Sequence, residues 1–210
     1  MNKTKRYIFM LAGILFIGLS VAFFRLAGFG VDPFTAMNLG ISGYIGWSFG
    51  TWQLLANICI LFFVFFQARN CVGAGTIVNM IFVGYIADFI CWFIQDACHI
   101  QMLMMFRVLA LIIAQLLASI GVAMYMIADL GISPYDSVAI IIEKMTKGKI
   151  PFHKARIVSD ITVVLVGSIF SIMSGNGIWT VVGVGTVVNA ICNGPLIQFF
   201  KKKIEKVSCF

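Results

Sequence analysis

The chain is a series of long apolar runs separated by short phrases rich in glycine, proline and polar residues. A membrane-spanning helix needs about 20 apolar residues. Six runs approach that length: roughly 7–28, 50–68, 72–95, 104–128, 153–173 and 178–199. Two shorter stretches, 31–46 and 132–147, follow the first and fourth runs. Both are too short to span, so we predict short helices that lie at the membrane edge or dip partly into it.

The composition fits this pattern. Apolar residues make up 61% of the chain and charged residues 11%, against about 45–50% and about 25% in soluble domains. We therefore predict an integral membrane protein with one membrane domain, 1–210, and no separate soluble domain. The basic N-terminus and the long run after it indicate an uncleaved first span rather than a signal peptide.

The basic residues predict an orientation. With a cytoplasmic N-terminus and six spans, only Arg25 and Arg107 of the 15 basic residues fall on the outer side, as the positive-inside rule requires. We expect both termini in the cytoplasm and a basic cytoplasmic tail at 201–210. The tail and the basic loop at 144–156 are predicted to face anionic lipid of the inner leaflet, so the net charge of +7 requires no nucleic acid.

The chain also repeats itself. "GAGTIVNMIFVGYIADF" at 73–89 matches "GVGTVVNAICNGPLIQF" at 183–199, and "GVDPF" at 30–34 matches "GISPY" at 131–135. A weaker match joins "QLLAN" at 53–57 to "RIVSD" at 156–160. The three elements follow the same order in both halves, so the sequence predicts repeat one at 7–95 and repeat two at 104–200.

Each repeat holds three predicted spans and one short helix. Because three is odd, the second repeat must enter the membrane with the opposite polarity. The predicted fold class is an all-α membrane protein with six transmembrane helices. They form two inverted-topology repeats of three, each with an extra short helix after its first span. Such repeats recur in secondary transporters, where the substrate site lies between the halves.

The same residues carry a family resemblance. The pattern G-[IV]-x-P-[FY], then Gly40-Ile41-Ser42, then G-x-G-T-x-[VI]-N-x-x-x-x-G resembles the YczE-like membrane proteins of bacteria and, more distantly, the YitT-like proteins. The resemblance covers nearly the whole chain. It implies a bacterial multi-pass protein of the cell (inner) membrane, and it supplies no substrate and no active-site residues.

The residues of the two repeated turns predict where the short helices begin. Asp32 before Pro33 and Ser133 before Pro134 predict an N-cap followed by proline in the first helical turn. Gly30 and Gly131 allow the sharp turn at the end of the preceding span. Two interpretations stay open: a tight corner between helices, or two helix starts that face a shared cavity and bind a polar group.

The G-x-G-T box is the second repeated feature. Gly75 and Gly185 permit close helix packing, while an asparagine and a threonine lie three residues apart on one helix face. The box residues proposed to bind substrate, or to fix the two halves together, are Asn79, Asn189, Thr76 and Thr186.

Charged residues inside spans are the strongest functional candidates. Asp88 is the first choice for a site sensitive to protons or cations, and Arg25 is one of its candidate partners. Asp160 follows, although Arg156 one turn earlier is placed to pair with it at i,i+4.

The leading hypothesis is a small inner-membrane transporter that moves an unidentified small solute through a site between the halves. Transport would be ion-coupled or facilitative, because no phosphate-binding motif is present. The alternative is a non-transporting accessory or regulatory protein that docks a partner through its basic loop. No catalytic motif, metal spacing or cofactor motif is found, so we expect no enzyme, no metal and no cofactor. Association with a second copy or a partner protein is left open.

Overall fold

The computed structural model describes residues 2–99 and 103–208, which form helices joined by short turns. The α-helices are α1 Lys3–Ala27, α2 Pro33–Ile45, α3 Phe49–Gln67, α4 Ala74–Trp92, α5 Met104–Ala128, α6 Pro134–Met145, α7 Phe152–Met173 and α8 Val184–Ser208. Single 3-10 turns at Arg69–Cys71 and Ile178–Thr180 precede α4 and α8, and a π-helical turn at Phe93–Ala97 extends α4.

The two halves contain the same series of elements: long helix, short helix, long helix, 3-10 turn, long helix. The predicted short helices are confirmed as α2 and α6, and five long helices coincide closely with predicted apolar runs. The sixth run, predicted at 178–199, differs: α8 begins at Val184 and continues to Ser208. The predicted tail at 201–210 is helical through Ser208, because α8 continues without a break from the box.

Within residues 2–99 and 103–208, five helices are long and apolar enough to cross a membrane: α1, α3, α4 with its π-turn, α5 and α7. The helix α8 has sufficient length, but it contains Pro195, and its last turns carry the basic run Lys201–Lys203. Large apolar side chains face outward, among them Phe62 and Phe66, which are 70% and 69% exposed. Monomeric soluble proteins rarely expose large contiguous apolar patches, so this surface fits a lipid environment. The structure is that of a multi-pass helical membrane protein.

The long helices α1 and α5 form the centre of the bundle. They cross at Gly13 and Gly121, where a Cβ atom on Gly13 would lie 2.7 Å from the Gly121 carbonyl oxygen. Small residues allow such close backbone contact between helices in membranes. A buried apolar cluster that includes Met10, Ile14 and Tyr125 fills the space beside this crossing.

The short helices cross long helices of the other half. α2 crosses α7 with backbone against backbone at Gly40 and Gly167, and a Cβ atom on Gly167 would lie 2.6 Å from the Ala36 carbonyl oxygen. In the corresponding pair, α6 and α3, the contact is made by the buried side chains of Ile141 and Val64. The two crossings are therefore built differently, one from glycine backbone and one from branched side chains.

The α2–α7 crossing generates a stability prediction. Gly167→Ala places a methyl group against backbone atoms that cannot move aside, and overpacking of this kind costs about 1–3 kcal/mol. Gly194 is the matched control, since nothing lies within 4 Å of a Cβ atom built there. Thermal unfolding in detergent should show a lower melting temperature for Gly167→Ala and an equal or higher one for Gly194→Ala. Equal melting temperatures for both variants would contradict the crossing.

Candidate functional site

Each G-x-G-T box contacts the turn of the opposite half. In the first box, the Gly75 N–H donates a hydrogen bond to the Leu130 carbonyl at 2.8 Å. The Thr76 hydroxyl donates to the Ile132 carbonyl, also at 2.8 Å. The Ile132 N–H in turn donates to the Cys71 carbonyl at 2.8 Å. The turn between α5 and α6 is thus bound to the start of α4.

The second box forms a closely similar set of contacts. The Gly185 N–H donates to the Phe29 carbonyl at 2.6 Å, and the Val31 N–H donates to the Val181 carbonyl at 3.3 Å. Thr186 accepts from the Gly183 N–H at 3.2 Å, as Thr76 accepts from the Gly73 N–H at 3.1 Å. The turn between α1 and α2 is thus bound to the start of α8.

The glycines of the turns are required by these contacts. Gly30 and Gly131 have φ values of +91° and +115°, and a Cβ atom on Gly30 would lie 2.6 Å from the Thr186 hydroxyl. A Cβ atom on Gly185 would lie 2.6 Å from the Gly30 carbonyl oxygen. The predicted packing role of the box and turn glycines agrees with this geometry. Thr76 joins the halves through its hydrogen bond to the Ile132 carbonyl, whereas Thr186 bonds within its own half and only packs against Gly30. Neither threonine belongs to the cavity lining described below.

The helix starts have the predicted caps. Asp32 accepts a hydrogen bond from the Thr35 N–H at 3.1 Å at the start of α2, which begins at Pro33. Ser133 accepts from the Asp136 N–H at 3.2 Å at the start of α6, which begins at Pro134. Burial raises the pKa of the Asp32 carboxyl, while Thr35 and Arg156 act in the opposite direction.

A cavity of about 100 Å³ lies between the two halves. That volume holds several water molecules, since one water requires about 10–15 Å³ on the same measure. Four predicted site residues line it: Asp32, Ser133, Asn79 and Asn189. The polar side chains that sequence reasoning did not place there include Thr35, Gln53, Asn57, Tyr125, Asp136, Arg156 and Asn193.

Most of the lining consists of positions that correspond between the repeats. Among these pairs are Asp32 with Ser133, Phe34 with Tyr135, Thr35 with Asp136, Gln53 with Arg156, and Asn79 with Asn189. The lining is therefore where the matching segments of the two repeats face each other. The chemistry differs within three of these pairs. The second repeat has the phenol of Tyr135, the carboxylate of Asp136 and the guanidinium of Arg156 at the positions that correspond to Phe34, Thr35 and Gln53.

The aromatic residues after the two prolines contact each other in the lining of this cavity. The rings of Phe34 and Tyr135 stack with centroids 4.5 Å apart and planes 14° apart. The Tyr135 hydroxyl donates a hydrogen bond to Asp160 at 2.6 Å. Sequence reasoning missed this pair, although the repeated Pro-aromatic dipeptide was a usable signal.

Arg156 is surrounded by acceptors. It forms ion pairs with Asp136 and with Asp160, the latter at 3.2 Å, and its guanidinium lies 4.5 Å from the Tyr135 ring centroid. The predicted i,i+4 pair with Asp160 is confirmed. The partner that the sequence did not indicate is Asp136, which lies on a different helix.

Asp88 lies outside the cavity lining. It pairs with Arg25 at 2.7 Å and accepts from the Gly50 N–H at 2.6 Å, and Arg25 lies over the Phe49 ring. These contacts join α1, α4 and the start of α3. The expected Arg25 interaction is present, and the prediction of a proton- or cation-sensitive role at Asp88 stays a prediction.

Other polar groups of the cavity are only partly satisfied. The Gln53 side chain is 5% exposed, and its Oε1 atom is buried without a hydrogen-bond partner among the described residues. Asn189 contacts Gln115 at 3.4 Å and Asn193 contacts Ser119 at 3.1 Å. Over residues 2–99 and 103–208, no group of three His, Cys, Asp or Glu side chains is placed to bind a metal ion.

The geometry defines a multi-pass helical membrane protein with a polar cavity between two related halves, and the comparisons place it in a family. The family model described as "Family of unknown function (DUF6198)" matches residues 4–202. The chain belongs to this family and is YczE-like.

The relatives span almost the whole chain. The chain is 22% identical to the "Uncharacterized protein YyaS" of Bacillus subtilis (strain 168), over 96% of its own length and 94% of the relative. It is 22% identical to the "Uncharacterized membrane protein YczE" of the same organism, over 92% and 84%. An uncharacterized protein of Haemophilus influenzae is 24% identical over 94% and 84%. No solved structure matches.

The position of Asp88 gives a testable distinction between structure and function. Asp88→Asn removes the ion pair with Arg25, and the loss of a hydrogen-bonded charge costs about 1.5–3 kcal/mol. Asp129→Asn is the matched control, because the Asp129 side chain is 90% exposed and exposed pairs contribute little. Thermal unfolding should show a lower melting temperature for Asp88→Asn and a nearly unchanged one for Asp129→Asn. An unchanged melting temperature for Asp88→Asn, combined with loss of transport, would instead assign Asp88 to the functional site.

Proposed function

We propose that the chain is a small transporter of the cell membrane, and that a small solute binds in the cavity between its two repeats. The observation that carries this proposal is the lining itself, which takes corresponding residues from both repeats. In transporters with inverted repeats, the substrate site lies at the repeat interface near the middle of the membrane. Here Asp32, Ser133, Asn79 and Asn189 are the proposed substrate-contacting residues.

The proposed topology has α8 as the sixth span and the two repeats in opposite orientations. Outward-facing apolar side chains on α8, such as Ile191 at 67% exposed, support its contact with lipid. The distribution of basic residues supports cytoplasmic termini. A reporter fused after Lys149 should therefore be active only as a cytoplasmic fusion, and periplasmic activity would contradict the six-span topology.

The two kinds of crossing support alternating access. In the α2–α7 contact, the backbones of Gly40 and Gly167 touch directly. In the α6–α3 contact, the side chains of Ile141 and Val64 lie between the two backbones. If the repeats exchange conformations, one crossing loosens as the other tightens, and the cavity opens to the opposite side. Transport would be ion-coupled or facilitative, since the sequence has no phosphate-binding motif.

The competing function is a non-transporting accessory protein. Its docking surface would be the exposed basic residues at the end of α6 and in the turn that follows it, which include Lys144, Lys147 and Lys149. A transporter must expose its cavity to each side of the membrane in turn, whereas a docking protein need not. The accessibility of a cavity residue to a water-soluble reagent from each side therefore distinguishes the two functions.

The accessibility experiment uses a single cysteine at Asn79 in a variant whose six native cysteines are replaced. A small membrane-impermeant methanethiosulfonate is applied to right-side-out and to inverted membrane vesicles, and labelling is measured by mass. A transporter that samples both states should be labelled at Asn79→Cys from either side.

The control cysteine lies on the same helix. Ile77 is 51% exposed on the outer surface of the bundle, so Ile77→Cys faces lipid and should resist labelling from both sides. Replacing Lys144, Lys147 and Lys149 with glutamine should leave the labelling of Asn79→Cys unchanged. Labelling from one side only, or from neither, would reject transport through this cavity.

A further inference from the structure

The charge of the cavity restricts what can bind there. Asp32 and Asp136 line it, with Arg156 as the cation among the described lining residues. Arg156 is already paired with Asp136 and with Asp160 behind it. No described cation forms an ion pair with Asp32, and the Arg156 charge that acts on it is shared with Asp136 and Asp160. The described lining therefore carries two carboxylates against one guanidinium.

We infer that the cavity binds a small organic ammonium ion, with Asp32 as its counter-ion and the Phe34 ring as its aromatic contact. The inference rests on the proposed transport function for its physiological meaning, and it concerns binding in the same cavity.

An anion is disfavoured at each place where it would normally bind. Helix N-termini attract anions through free N–H groups, but Asp32 caps the first turn of α2. At the start of α6, Ser133 takes the Asp136 N–H, and the Asp136 carboxylate adds a negative charge. Arg156 is enclosed by carboxylates and the Tyr135 ring. An anion in the cavity would therefore lie beside two carboxylates, while the one cation of the described lining, Arg156, is already paired.

The aromatic lining favours an organic cation over a metal ion. Phe24, Phe34, Tyr125 and Tyr135 all border the cavity, and a cation over an aromatic face gains about 0.5–2 kcal/mol. Hard metal ions instead require several oxygen ligands arranged around one point. In the described part of the chain, no such cluster of carboxylates is placed to supply them.

A buried acceptor provides independent support for a ligand. The Gln53 side chain borders the cavity, and its Oε1 atom has no donor among the described residues. Leaving such an atom unpaired costs about 1–3 kcal/mol, and a ligand N–H or O–H removes that cost. An ammonium compound that also carries a hydroxyl group offers a positive charge to Asp32 and an O–H donor to Gln53.

Choline is a suitable probe because it combines these two groups, and 3,3-dimethyl-1-butanol is its uncharged isostere. Binding is measured by titration calorimetry on the full-length protein in lipid nanodiscs. Choline should bind, the isostere should bind at least about tenfold more weakly (1.4 kcal/mol per tenfold change), and sodium ions should not compete. Equal affinity for choline and the isostere, competition by sodium, or no choline binding at millimolar concentrations would overturn the inference.

Two variants test the assigned residues. Asp32→Asn retains a good N-cap for α2, so it should keep the fold and reduce choline affinity about tenfold or more. Phe34→Leu removes the ring but keeps an apolar side chain, and should also weaken choline binding. Asp129→Asn, outside the cavity, should leave binding unchanged. Unaltered choline affinity in Asp32→Asn, with a normal melting temperature, would reject Asp32 as the counter-ion.

Failure of the inference is distinguishable from failure of the proposed function. Two-sided labelling of Asn79→Cys without choline binding would retain transport and reject the ammonium ligand. Choline binding with one-sided labelling would retain the ligand and reject transport, leaving a membrane receptor for the same cation.

Discussion

The structure depends on how two helix-breaking turns inside a membrane protein satisfy their backbone groups. A peptide group left unpaired in hydrocarbon costs several kcal/mol. The turn at Gly131 is satisfied by the box that starts α4, and the turn at Gly30 by the box that starts α8. Each repeat therefore supplies hydrogen-bond partners for the backbone of the other repeat's turn, so neither half is expected to fold well alone.

This reciprocal contact also places the functional groups. Because each turn is bound to the opposite half, the short helices α2 and α6 begin at the interface between the repeats. The first aromatic residue of each helix then stacks on its counterpart, Phe34 on Tyr135, and the capping residues Asp32 and Ser133 face the same cavity. The residues that form each turn therefore also bring polar side chains to the interface between the repeats.

Much of this was predictable from local signals. The Asp-Pro and Ser-Pro dipeptides predicted the starts of α2 and α6, and the repeated box predicted close packing at Gly75 and Gly185. The sequence could not show which half each box contacts, because a repeat pattern does not specify intramolecular pairing across the interface. For the same reason, the Asp136–Arg156 pair was invisible to i,i+4 reasoning. Asp88 was ranked first as a charged residue inside a predicted span with no partner on its own helix. The structure pairs it with Arg25 of another helix, away from the cavity.

The differences between the repeats are as informative as their similarity. Corresponding positions of the two matching segments line the same cavity, so the residues that differ between them show where its two sides differ in chemistry. The second repeat groups two carboxylates, Asp136 and Asp160, around the single cation Arg156. The first repeat contributes one carboxylate, Asp32, and several neutral amides to the lining. A symmetric cavity would have no preferred orientation for a ligand. Because Arg156 pairs with Asp136 and no described cation pairs with Asp32, the cavity orients the ammonium group of a ligand toward Asp32 and its aromatic contact toward Phe34.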